Sequence, residues 1–433
     1  MSNNTQSVTA KMVIPSQENE LRISLFHDEQ GKALVISPKN AILCLGKLNV
    51  ESGRKLRNVG CADARRFFMQ PGLNYLAGCE KLFETFPVYI DQSVDMSSEY
   101  VELWEAYSDR VIQTRRYDLM KGDVSYVDIS QKLVDREEFV DLTSTQFSAL
   151  RFKQKILDSL SLPPLSPSLQ ELIMLRSDPD ADVAKLVEIM KKDPSLSAQV
   201  ISWAASPYYG APGGVSSIDD AINRVLGFEL TINLALGVSM GRVLGLPDYK
   251  VKGASPFWMQ SIAVAIASEK LAKQLKDPEM KPGMAYLSGI LADFGYLVLF
   301  NLFPSKFNAL VRSTDVNPHI PYRDLERRIL QVTREEVGFW LLESWRIPDV
   351  VCDAIRYQNH PESAMKSKMA LLVHLATHAL RSYGICDGPV NSLYSNDLSK
   401  LGLTQNQLES VIVDIASCIA DISESAKQFN HAA

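Results

Sequence analysis

Three prolines within five residues, Pro163, Pro164 and Pro167, forbid regular helix at 162–167 and favour extended chain there. They divide a chain of 433 residues into two stretches whose apolar residues recur with different periods. Ahead of them, Leu21, Ile23 and Leu25 alternate with Arg22 and Ser24, and Asp28-Glu29-Gln30-Gly31 turns the chain into Ala33-Leu34-Val35-Ile36. That pattern predicts a β-hairpin. Helical segments follow at 62–69 and 79–84, and Pro87-Val88-Tyr89-Ile90-Asp91 reads as a buried strand. Residues 1–125 are therefore expected to form an α+β domain. A charged stretch at 130–140 falls in a connector placed at 126–154. Beyond it the chain is expected to be multidomain in the simplest way, with an all-α domain at 155–380 and a helical extension at 381–433 packed on it.

The helical reading rests on agreement of cap, stripe and stop. Val183, Leu186, Val187 and Met190 form one stripe behind Asp182, a residue suited to an N-cap. Asp193-Pro194 ends that helix and starts the next, because proline is tolerated in a first turn. Ser217 with Asp220 resembles a capping box, followed by Ile218, Ala221, Ile222, Val225 and Leu226 on one face and a stop at Gly227. Thr404 and Gln407 repeat the logic ahead of Leu408, Val411, Ile412, Ile415 and Ile419.

Composition excludes several classes. With 46% apolar residues the chain can fill real cores, yet its longest apolar run, 289–303, falls short of the roughly 18 residues that cross a bilayer. Asp293 and Asn301 interrupt that run, so no membrane span is expected. Met1-Ser2-Asn3-Asn4-Thr5 has no basic segment leading into an apolar one, so a secretory signal is not expected and the compartment reads as cytoplasmic. Cys44, Cys61, Cys79, Cys352, Cys386 and Cys418 form no C-x-x-C pair, which argues against a zinc knuckle or a disulfide framework. Net charge is −6, and the basic groups Arg110-Arg115-Arg116-Lys121 and Arg323-Arg327-Arg328 are mixed with acids. A protein that reads nucleic acid needs a concentrated basic face.

Few residues can carry chemistry. His374 and His378 are four apart within an apolar run, so both can lie on one helix face as metal ligands do, although they need a third ligand from elsewhere. The competing reading is a satisfied core pair. His27-Asp28 opens a turn and reads as a solvated loop, and His360 before Pro361 reads as a cap or surface residue.

Leu162-Pro163-Pro164-Leu165, Asp193-Pro194-Ser195-Leu196-Ser197 and Ala205-Ser206-Pro207-Tyr208-Tyr209-Gly210 occur in an order that resembles the HDOD domain, a helical relative of His-Asp phosphohydrolases. Ile218-Asp219-Asp220-Ala221-Ile222 through Leu226-Gly227, and Trp345-Arg346-Ile347-Pro348 ahead of Ala354-Ile355-Arg356-Tyr357, extend the likeness over 155–380. The resemblance implies a first metal-binding His at Gln260 and the His-Asp doublet at Ala292-Asp293. It places the later His pair at Gln358-Asn359 or Asn359-His360, and the last Asp near Thr377. It thus implies a fold whose cation ligands are gone, with no metal or other cofactor. Asp293 is then expected to accept from backbone amides, Thr377 or Gln260, because a lone carboxylate in an apolar run needs partners.

The first domain is similar to YbaK-like domains, which deacylate mischarged tRNA. The likeness runs through Ile23-Ser24-Leu25, Leu34-Val35-Ile36-Ser37-Pro38, Gly53-Arg54-Lys55-Leu56-Arg57 and Phe86-Pro87-Val88-Tyr89-Ile90-Asp91. The family's functional lysine is answered only by Leu21-Arg22, and an arginine stays charged near neutral pH. This implies an editing fold reused for binding.

The combined expectation is a non-catalytic cytoplasmic signal-transduction adaptor. Its partners would be other signalling proteins, in two-component or cyclic-dinucleotide pathways as the resemblance implies, with a small ligand in the pocket left by the metals. Tyr208 and Tyr209 are candidates for a partner surface, and Trp203 serves equally as core or surface. Two rivals stand beside it. One is a residual metal-dependent phosphohydrolase using Asp293, His360, His374 and His378; the other is tRNA binding through Arg22, Arg54, Lys55 and Arg57.

Overall fold

Gly31, at φ 117°, lets the chain reverse between β1 (Leu21–Asp28) and β2 (Gly31–Pro38) in the computed structural model of the protein. The two strands pair antiparallel from Leu21 opposite Pro38 to Asp28 opposite Gly31, which is the hairpin the sequence predicts. The structure describes residues 20–68, 76–106, 111–132, 154, 165–209, 213–247, 254–359, 367–389 and 395–430. Contacts divide the chain into two units, Met1–Asp135 with Asp315–Pro318, and Arg136–Thr314 with His319–Ala433.

In the first unit the hairpin is followed by β3 (Ala41–Leu43), α1 (Leu45–Ser52), β4 (Arg57–Asn58), α2 (Cys61–Phe68), α3 (Leu76–Thr85) and β5 (Val88–Asp91). Then come β6 (Tyr100–Glu105), β7 (Val111–Arg115), α4 (Arg116–Leu119), β8 (Val124–Val127) and β9 (Ser130–Lys132). The sheet runs β7-β6-β1-β2-β5-β8 with β4 beside β1, while β3 pairs with β9. Strands β1–β6, β2–β5 and β5–β8 are parallel, so the sheet is mixed. Successive side chains point to opposite faces, and both faces are covered. Leu21, Ile23, Leu25, Leu34 and Ile36 join one apolar cluster, and Phe26, Ala33, Val35 and Tyr89 join the other. Arg22 and Ser24 are buried in consequence.

Two carboxylates fix this unit's turns. Asp28 takes Nε and Nη2 of Arg54, at 2.9 and 2.5 Å, and Nη2 also reaches the Gly31 carbonyl at 2.9 Å. Arg54 holds the Asp28 carboxyl down at about 2. Asp91 accepts from the amides of Ser93, Ile129 and Ser130, at 2.9, 3.0 and 2.6 Å, and from the Ser93 hydroxyl. In the Asp315–Pro318 segment, the Asn317 side-chain amide accepts from Leu43 N–H at 2.8 Å and donates to its carbonyl at 3.1 Å, as a neighbouring strand would.

The expected domain end at 125 falls inside β8, and the expected connector from 126 begins there as well, with β9 beyond it. The reason is Asp91, which gathers the amides of 129 and 130 and ties this segment to the end of β5. Val124-Ser125-Tyr126-Val127 is too short and too polar to announce a strand without its parallel partner.

In the second unit the described residues are helical throughout. It begins with α5 (Pro167–Arg176), α6 (Val183–Lys192), α7 (Pro194–Ala204) and α8 (Ile218–Asp220), then a π-helical stretch (Ala221–Leu226) leading into α9 (Gly227–Leu244). Next are α10 (Phe257–Gln274), α11 (Pro282–Leu291), α12 (Phe294–Leu302) and α13 (Pro304–Val316), whose residues 315–316 lie in the first unit. The chain ends through α14 (Tyr322–Leu330), α15 (Arg334–Ser344), α16 (Asp349–Tyr357), α17 (Lys368–Ser382), α18 (Ser395–Leu401), α19 (Gln405–Ser417) and α20 (Ile419–Asn430). Asp182 and Asp193 cap α6 and α7 by accepting from Lys185 N and Leu196 N, and Thr404 and Gln407 form the full capping box of α19. At Ser217 only half of the expected box forms: the hydroxyl accepts from Asp220 N, but the Asp220 carboxylate turns to Ser216 and Arg224. Aspartate is one methylene shorter than the glutamate such a box uses.

α10 lies at the centre, packed by α11, α17, α19 and α20. Gly289 on α11 makes the closest crossing, since a Cβ there would stand 2.6 Å from Ala265 Cα. The helices of 381–433 dock on α10 through the Lys270–Asp414 ion pair among other contacts. Two stretches, Ile218–Leu244 and Pro282–Leu302, are long and apolar enough to cross a membrane, but 67% and 72% of their most apolar windows are buried inside the fold.

Asp91 yields a stability prediction. Burial raises its carboxyl, but the donors of Ser93, Ile129 and Ser130 outweigh burial and hold it below its ordinary value. Its contribution is therefore present above about pH 4, the unfolded value, and lost as pH falls through the lower folded value. Asp91→Ala should cost about 2–3 kcal/mol in urea denaturation at pH 7, and the gap to wild type should narrow below about pH 4.

Candidate functional site

The site begins where α12 and α15 cross. Gly295 has no room for a side chain, since a Cβ there would stand 1.8 Å from the Arg334 carbonyl oxygen. This close approach sets Arg334, the first residue of α15, beside Asp293, which caps α12. Arg334 Nη1 donates to Asp293 Oδ1 at 3.2 Å, and Nε donates to Glu326 Oε1 at 2.5 Å. The Arg334 amide also donates to Glu326 Oε2, at 2.8 Å. The guanidinium stacks over Tyr322 and Tyr296, 4.6 and 5.2 Å from the ring centres. Burial pushes the Glu326 carboxyl up to about 7 against the pull of Arg334. Burial also works against charge on Arg334, but Glu326 and Asp293 outweigh it and raise its pKa.

A second group comes from one face of α17. His374, Thr377, His378 and Arg381 stand at helical spacing on an otherwise apolar helix. His374 Nδ1 lies 2.6 Å from the Gln358 carbonyl, so Nδ1 carries the proton it donates. His378 Nε2 lies 3.4 Å from Arg381 Nη1 and accepts from it. The two rings are 4.2 Å apart. Burial lowers the His374 pKa; at His378 burial, then Arg381 and His374, push it down to about 2, so both imidazoles are neutral. Arg381 Nε donates to the Asp387 carbonyl at 2.9 Å, across Gly388, whose φ of +129° and missing Cβ let the loop close over the guanidinium.

The Asp387 carboxylate accepts from Ser255 N at 3.0 Å and Gln260 Nε2 at 2.8 Å, and Gln260 Oε1 accepts from Asp387 N at 2.7 Å. Burial pushes this carboxyl up to about 6 despite those donors.

The positions singled out from sequence therefore fall into three linked groups. Ala292 contributes its carbonyl, which accepts from Gln358 Nε2 at 2.6 Å, and Gln358 in turn holds His374. Gln260 is locked to Asp387, and Asp293 to Arg334. Asn359 donates to Glu335. Thr377 is buried, and its hydroxyl has no partner among the described residues. His360 lies outside the described residues. Tyr208 and Tyr209 lie away from these groups in an aromatic cluster: Tyr209 OH accepts from Trp203 Nε1 at 3.2 Å, and Tyr208 packs edge-on against Tyr209. Trp203, 1% exposed, is core.

The expected partners of Asp293 are corrected by these contacts. It pairs with Arg334 and not with Thr377 or Gln260, because the Gly295 crossing brings the start of α15 to it. Of the basic residues proposed to grip tRNA, Arg22 is 1% exposed and Arg54 is engaged by Asp28. Sequence reading missed Arg334, Glu326, Arg381 and Asp387. Only Arg381 left a signal, as the fourth polar residue of the α17 stripe. Among the described residues no three His, Cys, Asp or Glu side chains come together in a way that could hold a metal ion.

An all-helical domain with a mostly buried polar cluster is the class of protein defined so far. The HDOD domain model matches residues 162–361, and a solved structure from Marinobacter aquaeolei VT8, assigned by name to signal transduction, matches nearly the whole chain. That match is 31% identical, covers 96% of this chain and 94% of the other, and has a TM-score of 0.80. The chain belongs to the HDOD family. A Shewanella amazonensis SB2B structure named as a phosphohydrolase is 26% identical, with a TM-score of 0.50 over 64% of this chain and 97% of its own. A protein of Treponema pallidum (strain Nichols) is 25% identical over 251 residues, and the chain spans 46% of that relative's length.

Removing the guanidinium from the Asp293–Arg334–Glu326 group should be costly, because Glu326 is fully buried. Arg334→Met is expected to lose about 3–5 kcal/mol in chemical denaturation. Arg334→Met with Glu326→Leu should recover most of that loss, since no uncompensated charge is then left inside.

Proposed function

We propose that this chain is a non-catalytic regulatory binding protein of signal transduction, in which a phosphohydrolase-like helical scaffold has exchanged its cation for an arginine. The Arg334 guanidinium on Asp293 carries this reading. It supplies a fixed positive charge to the one carboxylate that would otherwise bind a metal. The remaining donors do not fit a cation either. Gln260 is a neutral amide spent on Asp387, Ala292 offers only a carbonyl already taken by Gln358, and Thr377 is a hydroxyl. His378 has Arg381 at 3.4 Å, and a guanidinium there opposes any metal ion on the same imidazole.

In this reading the protein acts in the cytoplasm by contact with other signalling proteins, and the polar cluster on α10, α12, α14, α15 and α17 takes a ligand in place of a reaction. The first unit is a YbaK-like domain kept for binding. Burial of Arg22 and the Arg54–Asp28 pair support that reading over tRNA capture, since of the four cations offered to phosphates only Lys55 and Arg57 remain exposed.

The test is metal content with turnover. Purified protein is loaded with Mn²⁺, Fe²⁺ or Zn²⁺, passed through gel filtration, and assayed by plasma mass spectrometry and with phosphomonoester and phosphodiester substrates. Metal well below one equivalent and no hydrolysis are expected. A stoichiometric metal that is lost in Asp293→Ala, accompanied by turnover, would defeat the proposal.

A further inference from the structure

We infer that the helical unit binds a small oxyanion, a phosphate or carboxylate group, at Arg381, with Thr377 and His378 beside it on α17. The inference deepens the reading of this polar cluster as a metal-free binding site and rests on it.

Arg381 is only 6% exposed, yet among the described residues no carboxylate forms an ion pair with it. Its partners are a main-chain carbonyl through Nε, the neutral ring of His378 through Nη1, and the face of Tyr322 at 5.8 Å. Arg54 and Arg334 are as deeply buried, and each holds a carboxylate at 2.5 Å. A buried cation that no carboxylate contacts directly is unfavourable, so the different treatment of Arg381 points to a negative group supplied from outside the chain. The Asp387 carboxylate feels the Arg381 charge but makes no ion-pair contact with it, because its oxygens are turned to Ser255 N and Gln260 Nε2.

A second observation lies one helical turn earlier. Thr377 is 7% exposed and its hydroxyl has no partner among the described residues, an arrangement that costs free energy unless something accepts its hydrogen bond. Spaced four residues apart, Thr377 and Arg381 share a face, and Arg381 Nη2 has no described hydrogen-bond partner. An oxyanion between them would accept from both and supply the missing charge. Tyr322, His374 and Asp387 beside them are partly exposed to solvent.

The full-length protein, stripped with EDTA and verified metal-free, is titrated by calorimetry at pH 7 with inorganic phosphate and, separately, with acetate. Saturable binding at about 1 mM or tighter is expected with at least one of them, and the better ligand identifies the oxyanion. Arg381→Gln should weaken it by about tenfold or more. Thr377→Val, which keeps the side chain's shape and removes only the hydroxyl function, should weaken it severalfold and carries the test if Arg381→Gln does not fold. Binding unchanged in the folded variants, or no saturable heat with either anion, overturns the inference and leaves the metal-free reading standing. Binding that requires added Mn²⁺ overturns both.

Discussion

A guanidinium held between two carboxylates governs the helical unit of this protein. Glu326 is fully buried, and a carboxylate there is tolerable only because Arg334 reaches it through both a side-chain and a main-chain N–H. The same arginine reaches outward to Asp293 and lies against Tyr296 and Tyr322. That geometry depends on α12 and α15 approaching to the distance a missing Cβ allows at Gly295. Packing and electrostatics are thus one constraint: the glycine sets the approach, and the approach sets which charge faces Asp293.

From this constraint the character of the cluster follows: it gathers amides, neutral histidines and two arginines. His374 and His378 are kept uncharged by burial, and His378 also by the neighbouring guanidinium. The chain's HDOD domain is consistent with a part in signalling.

The first unit shows the same economy of buried charge by different means. Its sheet is covered on both faces, so polar residues on the strands are enclosed instead of being presented to solvent. Asp28 clamps Arg54 beneath the hairpin, and Asp91 binds the ends of two segments by their amides. The first contact takes Arg54 out of reach of a nucleic acid, while Lys55 and Arg57 stay exposed.

Much was legible before the structure. Alternation around Gly31 announced the hairpin, Asp182, Asp193 and Thr404 announced helix starts, and the helical likeness over 155–380 led to the family. Those features are local, because caps, turns and periodicity are set by residues within a few positions of each other. The absence of an imidazole at Ala292 was equally plain. What the sequence could not state is which groups replace it. Arg334 is 41 positions from Asp293, and Asp387 is 127 from Gln260. Pairings at that range are decided by how helices cross, so the sequence by itself determined the elements and the absence of an imidazole at Ala292. Only the tertiary structure decided that an arginine would occupy Asp293 and that Arg381 would meet no carboxylate directly.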